Sequence, residues 1–359
     1  MVLMHDAPFI LNFETLREAD RPLVGGKAAS LGMLLAAGCP VPPGFALTTA
    51  AYRTFLEENG LTGLFRLELD RYPSLDDAAA ALAARVEEAF TTAALPDTLA
   101  RHLSDAYAQL GRTVGSAEPI VAVRSSAVDE DSQTASFAGQ HETYLGIQGF
   151  DELARAVRRC WASAYTPRAI AYRVHRGLRL EDAAVGVAVQ LLVEPRAAGV
   201  LFTLSPRTGD RSLVVIEGSW GLGQAVVAGE VTPDEYVVSK VTLEIVRKQI
   251  NPKPFRYRRG GSDGTLQREE LPPERATAPC LDDAEVVELA RRARELEKRF
   301  GFPLDVEWAI TDIPDRGTIY FLQCRPETVW SQKERPAVTI AATNPIMAIA
   351  QTLVRPPSR

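Results

Sequence analysis

The sequence contains few cysteines, four in 359 residues, and none of them forms a CxxC pair. The four are far apart, at Cys39, Cys160, Cys280 and Cys324. This spacing argues against a metal–thiolate site. Free thiols are typical of proteins in a reducing compartment, so we expect a cytoplasmic protein.

Excess positive charge and long apolar runs are also missing. Lys and Arg number 40 against 46 Asp and Glu, which gives a net charge of −6 and a pI near 5.5. This balance argues against binding to nucleic acid or to an anionic membrane. No apolar run approaches the ~20 residues of a membrane span. The first eight residues lack the basic start and apolar core of a signal peptide. We therefore expect a soluble intracellular protein.

The composition itself is ordinary for a globular protein, 46% hydrophobic and 24% charged. At roughly 100–200 residues per domain, the length predicts two lobes. Residues 331–359 lose hydrophobic periodicity and are interpreted as a tail or linker. No internal repeat is evident.

Two runs near the C-terminal end carry the strongest chemical signal. Residues 304–310 and 318–326 are rich in β-branched and aromatic residues, which predicts two strands. Side chains alternate along a strand, so each strand places two polar residues on one face. If the strands pair antiparallel, these faces meet about 5 Å apart. The four polar residues are Asp305, Glu307, Gln323 and Arg325. They suit a metal ion on the acids and a phosphate on the arginine, and the alternative is a structural salt-bridge cluster.

A glycine pair near the N-terminus precedes a predicted helix. In residues 24–32 the backbone N–H groups of the glycines can approach an anion, and Lys27 can add a positive charge. The run is not a Walker A loop, because the four-residue spacer and the Lys-Ser/Thr ending are missing. The alternative is a plain turn with a surface lysine.

A buried-looking strand over residues 120–127 is expected to deliver Arg124 at its end, before a loop rich in hydroxyl side chains. Arginine beside such a loop suits a polyphosphate, which accepts bidentate hydrogen bonds. The alternative is an arginine paired with the acids of residues 129–131.

Other segments are expected to build the scaffold. We predict a helix over residues 151–171, an apolar hairpin over residues 185–203, and an amphipathic helix over residues 281–300. The glycine-rich residues 218–229 could line a ligand cleft. The arginine-rich residues 251–277 are interpreted as a mobile surface hairpin rather than a nucleic-acid patch.

Together the motifs resemble the nucleotide-binding domain of the phosphoenolpyruvate synthase, pyruvate phosphate dikinase and rifampicin phosphotransferase family. In chain order they are Val24–Ala28, Val123–Ala127, Ser136–Gln140, Gly199–Thr203, Trp220–Gly223, Asp305–Trp308 and Gln323–Pro326. The resemblance covers about residues 9–330. It implies an α+β protein with the ATP-grasp fold, in which residues 1–195 and 196–330 form two lobes that hold ATP between them.

The resemblance also implies roles for particular residues. Phosphate contacts are expected from Lys27, Arg124 and Arg325, a phosphate-side loop at Gly139 and Thr143, an adenine contact from Gln190, and Mg²⁺ ligands from Glu307 and Gln323. Asp305 is expected to support the metal or the ribose. One departure is Gln224, where relatives commonly carry Glu after Gly-Leu-Gly.

The family passes phosphate through a histidine on a separate domain. The four histidines are His5, His102, His141 and His175, and none has the glycine-rich context of a phosphocarrier. The resemblance therefore implies an ATP-binding component that phosphorylates a histidine on another domain or subunit and releases AMP and Pi. An acceptor-binding subunit or domain completes such a system, as in phenylphosphate synthase, whose nucleotide-binding subunit is separate.

Several alternatives remain open at this point. The acceptor could be phenol, pyruvate or a rifamycin. The chain could also be a binding module that senses nucleotide without turnover, or an ATP-grasp ligase that releases ADP rather than AMP.

Overall fold

The computed structural model describes residues 7–66, 71–128, 143–260, 265–312 and 318–330. The strands are β1 (Ile10–Asn12), β2 (Gly44–Leu47), β3 (Val121–Ala127), β4 (Thr143–Ile147), β5 (Val185–Leu191), β6 (Ala197–Phe202), β7 (Leu213–Trp220), β8 (Asp234–Ser239), β9 (Ile245–Gln249), β10 (Phe255–Arg259), β11 (Leu266–Glu270), β12 (Leu304–Ile310) and β13 (Ile319–Pro326). The helices are α1 (Arg21–Ala36), α2 (Thr49–Glu58), α3 (Leu75–Thr92), α4 (Asp97–Val114), α5 (Phe150–Ala162), α6 (Pro167–His175), α7 (Gln224–Val227), α8 (Pro273–Ala276) and α9 (Asp283–Phe300). Among these helices, none is both long enough and apolar enough to cross a membrane.

The first sheet has five antiparallel strands in the order β1-β2-β5-β3-β4. Helices α2 to α6 cover one of its faces through an aromatic core. The largest buried rings there are Tyr52, Phe55, Phe90, Trp161 and Tyr165. Helix α1 packs on part of the other face, and the remainder of that face lines the cleft.

The second sheet has six antiparallel strands in the order β13-β12-β6-β7-β8-β9. The predicted amphipathic helix is confirmed as α9, which starts with a capping box between Asp282 and Glu285 and ends at Gly301. Helix α9 buries its apolar face against this sheet, in a core that also includes α1. The predicted α+β class is confirmed, and two lobes with a cleft between them are the ATP-grasp arrangement.

The predicted hairpin over residues 185–203 is wrong, because β5 and β6 belong to different sheets. Its two apolar strands and short Glu-Pro-Arg connection are typical of a hairpin, but Arg196 holds the connection on the second lobe. The Arg196 backbone N–H donates to Ile310 O at 2.8 Å, and its Nη1 donates to Cys280 O at 2.7 Å. Its side chain also pairs with Glu285. The expected division between residues 195 and 196 falls in this connection.

The predicted helix over residues 151–171 is interrupted, because α5 and α6 are separated at Thr166 and Pro167. The Thr166 hydroxyl accepts the Ala169 N–H at 3.2 Å, and Pro167 takes the first position of α6. Threonine capping and proline at this position both favour a new helix start.

The arginine-rich segment does form a hairpin, from β10 and β11. Its arginines pair with acids rather than presenting a free basic face. The ion pairs are Arg256–Glu269, Arg258–Glu269, Arg259–Glu194 and Arg268–Glu270.

Helix α1 is kinked at Gly25, so that one helical turn precedes the glycine pair and the predicted helix follows it. Gly25 has φ 78° and ψ 169°, a backbone region that is essentially restricted to glycine. A Cβ at this position would lie 2.0 Å from the Ser126 carbonyl oxygen. The Ala28 N–H donates to Ser126 Oγ at 3.1 Å. The kink therefore seats the segment that carries Lys27 directly on β3, two residues beyond Arg124.

Replacing Gly25 with alanine tests this close approach. We expect Gly25→Ala to lower the free energy of unfolding by about 3 kcal/mol or more, since both the dihedrals and the contact with Ser126 become unfavourable. Gly38→Ala is the matched control, because Gly38 has φ +79° but open space around it. That change should cost only about 1–2 kcal/mol. Urea denaturation measures both losses. An equal loss of unfolding free energy in Gly25→Ala and Gly38→Ala would contradict the explanation by close contact with Ser126.

Candidate functional site

A cleft that is open to solvent lies between the two sheets. Its first-lobe wall comes from β3, β4 and the end of β5, and its second-lobe wall comes from β6, β12, β13 and the segment around α7. Residues that line it include Arg124, Thr143, Gln190, Leu222, Gln224, Glu307 and Trp308. The glycine-rich segment is confirmed as a cleft wall through Leu222, Gly223, Gln224 and Val227.

The four polar residues of the C-terminal strands meet as predicted. Asp305 lies opposite Arg325, and Glu307 lies opposite Gln323, on antiparallel strands β12 and β13. Arg325 Nε and Nη2 lie 2.8 and 2.7 Å from Asp305 Oδ2. The strand pattern predicted that the two polar faces would align in an antiparallel pair, and the structure gives the register of that pair.

Arg124 joins this cluster from the other lobe. Its Nη1 donates to Glu307 Oε2 at 2.9 Å and lies 3.4 Å from Gln323 Oε1. Arg124 stands in the middle of β3, opposite Thr143 on β4, rather than at the strand end as expected. Because side chains alternate along a strand, a mid-strand position still aims the guanidinium into the cleft. The buried Nε of Arg124 has no hydrogen-bond partner in the described part of the chain.

The Glu307 carboxylate is held in its ionised form. Its burial acts to raise the pKa, but the positive charge of Arg124, followed by those of Lys27 and Arg325, outweighs burial and lowers the pKa. Lys27 is close enough for its positive charge to contribute to this lowering of the Glu307 pKa. Glu307 is therefore a carboxylate at neutral pH.

The Asp305 carboxyl behaves differently. Burial raises its pKa, and the Arg325 guanidinium opposes this effect without cancelling it. The side chain of Arg325 is 40% exposed, against 14% for Asp305. Arg325 is thus the member of the pair with room to bind an incoming anion.

Gln190 sits near the end of β5 with only 1% of its surface exposed. Its Nε2 is buried and has no hydrogen-bond partner within the described ranges. A buried donor without a partner is costly, so a ligand acceptor in the cleft would satisfy it. The contact between Gln190 and adenine remains a prediction, and the unpaired Nε2 is compatible with it.

The other predicted residues can also be located. Thr143 begins β4 and lines the cleft. Gly139 lies outside the described residues, as does His141. His102 and His175 are described, and neither lines the cleft. Sequence reasoning missed the segment Leu191–Val193, which lines the cleft beside Gln190. Its apolar sequence carries no signal that separates it from the buried core.

The oxygen donors of the cluster suit a magnesium ion. Glu307 Oε2 and Gln323 Oε1 both lie near Arg124 Nη1, and hard oxygen ligands of this kind suit Mg²⁺. No group of three or more His, Cys, Asp or Glu residues that could hold a metal occurs in the described ranges. A magnesium ion commonly takes one or two protein ligands and completes its shell with phosphate and water. The residues present fit such an ion.

A double-mutant cycle on Arg124 and Glu307 tests the contact between the lobes. We expect Arg124→Gln and Glu307→Gln to couple by about 2 kcal/mol in unfolding free energy, because the pair is charged and hydrogen-bonded. Since the pKa of Glu307 is lowered in the folded protein, the coupling should be complete above the ordinary glutamate range and vanish as the pH falls through the lowered pKa.

The exposed pair Lys248–Asp283, with side chains 35% and 70% exposed, is the control. Its coupling should stay below about 1 kcal/mol. Equal coupling in the two cycles would contradict a special contribution from the cleft pair.

Comparison with known proteins is consistent with this geometry. The family pattern described as "Pyruvate phosphate dikinase, AMP/ATP-binding domain" matches residues 21–344. The phosphoenolpyruvate synthase of Aeropyrum pernix is 40% identical over 93% of this chain and 44% of its own length. The probable phosphoenolpyruvate synthase of Methanothermobacter thermautotrophicus is 39% identical over 89% of this chain and 46% of its own.

The phosphoenolpyruvate synthase of Pyrococcus furiosus is 37% identical over 90% of this chain and 44% of its own length. The chain thus spans less than half the length of these relatives. Among solved structures, D-alanyl-alanine synthetase A from Vibrio cholerae matches with a TM-score of 0.26 and 11% identity, covering 83% of this chain and 54% of that one. This likeness is too low to support any conclusion. The match to the family pattern covers most of the sequence, and the chain belongs to the family of the AMP/ATP-binding domain of pyruvate phosphate dikinase.

Proposed function

We propose that this chain is the ATP-binding component of a dikinase-type phosphotransferase. It passes phosphate from Mg–ATP to a histidine on a separate phosphocarrier domain or subunit. The observation that supports this most is the meeting of Arg124 from one lobe with Glu307 and Gln323 from the other, at a cleft between the two sheets. Lys27 and Arg325 add positive charge to the same cluster.

The two ends of the cleft have different functions in this proposal. The apolar end, beside Gln190 and Leu222, holds the base, and the buried Gln190 Nε2 donates to it. The charged end holds the phosphates, where Arg124 and Arg325 supply planar donor pairs and Lys27 a point charge. Glu307 and Gln323 hold the magnesium ion, which when bound neutralises polyphosphate charge.

The reaction needs positioning and charge neutralisation more than proton transfer from this chain. The partner's imidazole nitrogen forms a bond to the β-phosphorus of ATP. The bond between that phosphorus and the oxygen that bridges the α- and β-phosphates breaks. AMP leaves with that oxygen, and hydrolysis of the pyrophosphoryl group then releases Pi. The cationic cluster stabilises the charge that spreads over the phosphoryl oxygens during transfer.

The curated relatives are phosphoenolpyruvate synthases, which favours pyruvate as the acceptor of the complete system. Phenol and a rifamycin are the other acceptors considered, and an acceptor-binding domain or subunit would select among them. We place the protein in the cytoplasm, and the four free cysteines support this location. The neutral Gln224 on the cleft wall replaces a carboxylate without removing any member of the charged cluster.

Two substitutions test the site assignment. Lys27→Ala and Glu307→Ala should each abolish phosphorylation of the carrier histidine, since each removes a group that holds the phosphates or the metal ion. Circular dichroism should show that both variants remain folded. Lys248→Ala, which removes a lysine of the exposed pair with Asp283, should retain full activity. Full activity in the Lys27 and Glu307 variants would remove the site assignment.

The nucleotide product separates the remaining reaction types. The chain is incubated with Mg–ATP and a candidate carrier protein, and the nucleotides are resolved by chromatography. AMP with Pi is expected for the dikinase reaction. ADP would instead support the ligase, and binding without turnover would support a nucleotide-sensing module.

A further inference from the structure

A fully buried ion pair lies outside the cleft, between Asp234 at the start of β8 and Lys253 in the segment between β9 and β10. Lys253 Nζ donates to Asp234 Oδ1 at 2.5 Å and to Asn251 O at 2.8 Å. Asp234 also accepts the Asn251 N–H on Oδ1 at 3.0 Å and the Cys280 N–H on Oδ2 at 2.8 Å. A charged pair removed from water is tolerated only when its donors and acceptors are satisfied in this way. The pair therefore ties three separate segments together.

Lys253 fixes the root of the β10–β11 hairpin. Its own N–H donates to Ala276 O at 2.8 Å. Two residues later, Phe255 is 4% exposed and packs with Ala225 of α7 and with Val231. This small apolar cluster is separate from the two large cores. The position of β10 thus depends on the loop that the ion pair anchors.

Strand β10 in turn supports the cleft wall. The Leu222 N–H donates to Tyr257 O at 2.8 Å, and Gly221 forms an isolated backbone bridge to Tyr257. Gly221 has φ +73°, and a Cβ there would lie 2.3 Å from Tyr257 O. Glycine is required for so close an approach. The segment from Gly221 to Val227, which lines the cleft, therefore rests on β10.

We infer that the Asp234–Lys253 ion pair positions the wall at the base end of the nucleotide cleft. The pair holds β10, and β10 holds Leu222 and its neighbours against the space that faces Gln190. This assignment rests on the proposed function, because it takes the occupant to be a nucleotide. The phosphate end is built on α1, β3, β12 and β13, which the pair does not touch. Asp234 and Lys253 are positioning residues and do not line the cleft.

A comparison of two ligands tests this inference. Mg–ATP uses both ends of the cleft, whereas Mg–tripolyphosphate uses only the phosphate end. In Lys253→Met we expect the calorimetric Kd of Mg–ATP to rise roughly tenfold or more, because a small displacement of the groups that position a ligand weakens its binding. The Kd of Mg–tripolyphosphate should stay unchanged. The double variant Asp234→Asn/Lys253→Met should show the same rise in the Kd of Mg–ATP. It leaves no unpaired buried carboxylate, so it can be measured if the single variant fails to fold.

Lys248→Met is the matched control, because it removes a lysine from an exposed ion pair on the neighbouring strand β9. It should leave both affinities unchanged, and thermal melts establish that each variant is folded. Wild-type affinity for Mg–ATP in the folded variants would overturn the inference, as would an equal loss for both ligands. Neither of these two results would contradict the proposed function, provided that the wild-type chain binds Mg–ATP. A wild-type chain that binds neither ligand overturns the proposed function together with the inference.

Discussion

The ion pair between Arg124 and Glu307 is the contact on which the site depends, because it joins a strand of one sheet to a strand of the other. Both side chains are largely withdrawn from water, at 11% and 24% exposed. Each would be costly there without an opposite charge. In the proposed function the same two groups serve a phosphate and a metal ion. The pair therefore couples the two sheets at the cleft, beside the apolar core through which α1 also packs on the second sheet.

Several contacts away from the ion pair keep this geometry in place. On the first lobe, the kink at Gly25 lets α1 lie directly on Ser126 of β3. On the second lobe, Arg196 and the buried pair of Asp234 and Lys253 fix segments that surround the cleft. None of these contacts needs to touch a ligand. Their common effect is to hold flexible or glycine-rich backbone in one arrangement, which is the condition for positioning a polyphosphate.

The cleft wall is of mixed polarity. Apolar residues such as Leu222 line it together with the charged pair of Arg124 and Glu307. A nucleotide likewise combines an apolar base with charged phosphates, which agrees with ATP as the proposed occupant. Membership of the AMP/ATP-binding family agrees with the same conclusion.

The sequence by itself determined the two polar strands, the side chains that share a face on each, and the amphipathic helix α9, because alternation and helical periodicity are local properties. The register of Glu307 with Gln323 came from the structure. It also identified the nucleotide-binding family through motifs in a fixed order. Only the tertiary structure decided that β5 and β6 lie in different sheets, and that Lys253 is buried within an arginine-rich hairpin segment. These outcomes depend on partners distant in the chain, and no local pattern encodes which distant residue supplies the opposing charge or the neighbouring strand.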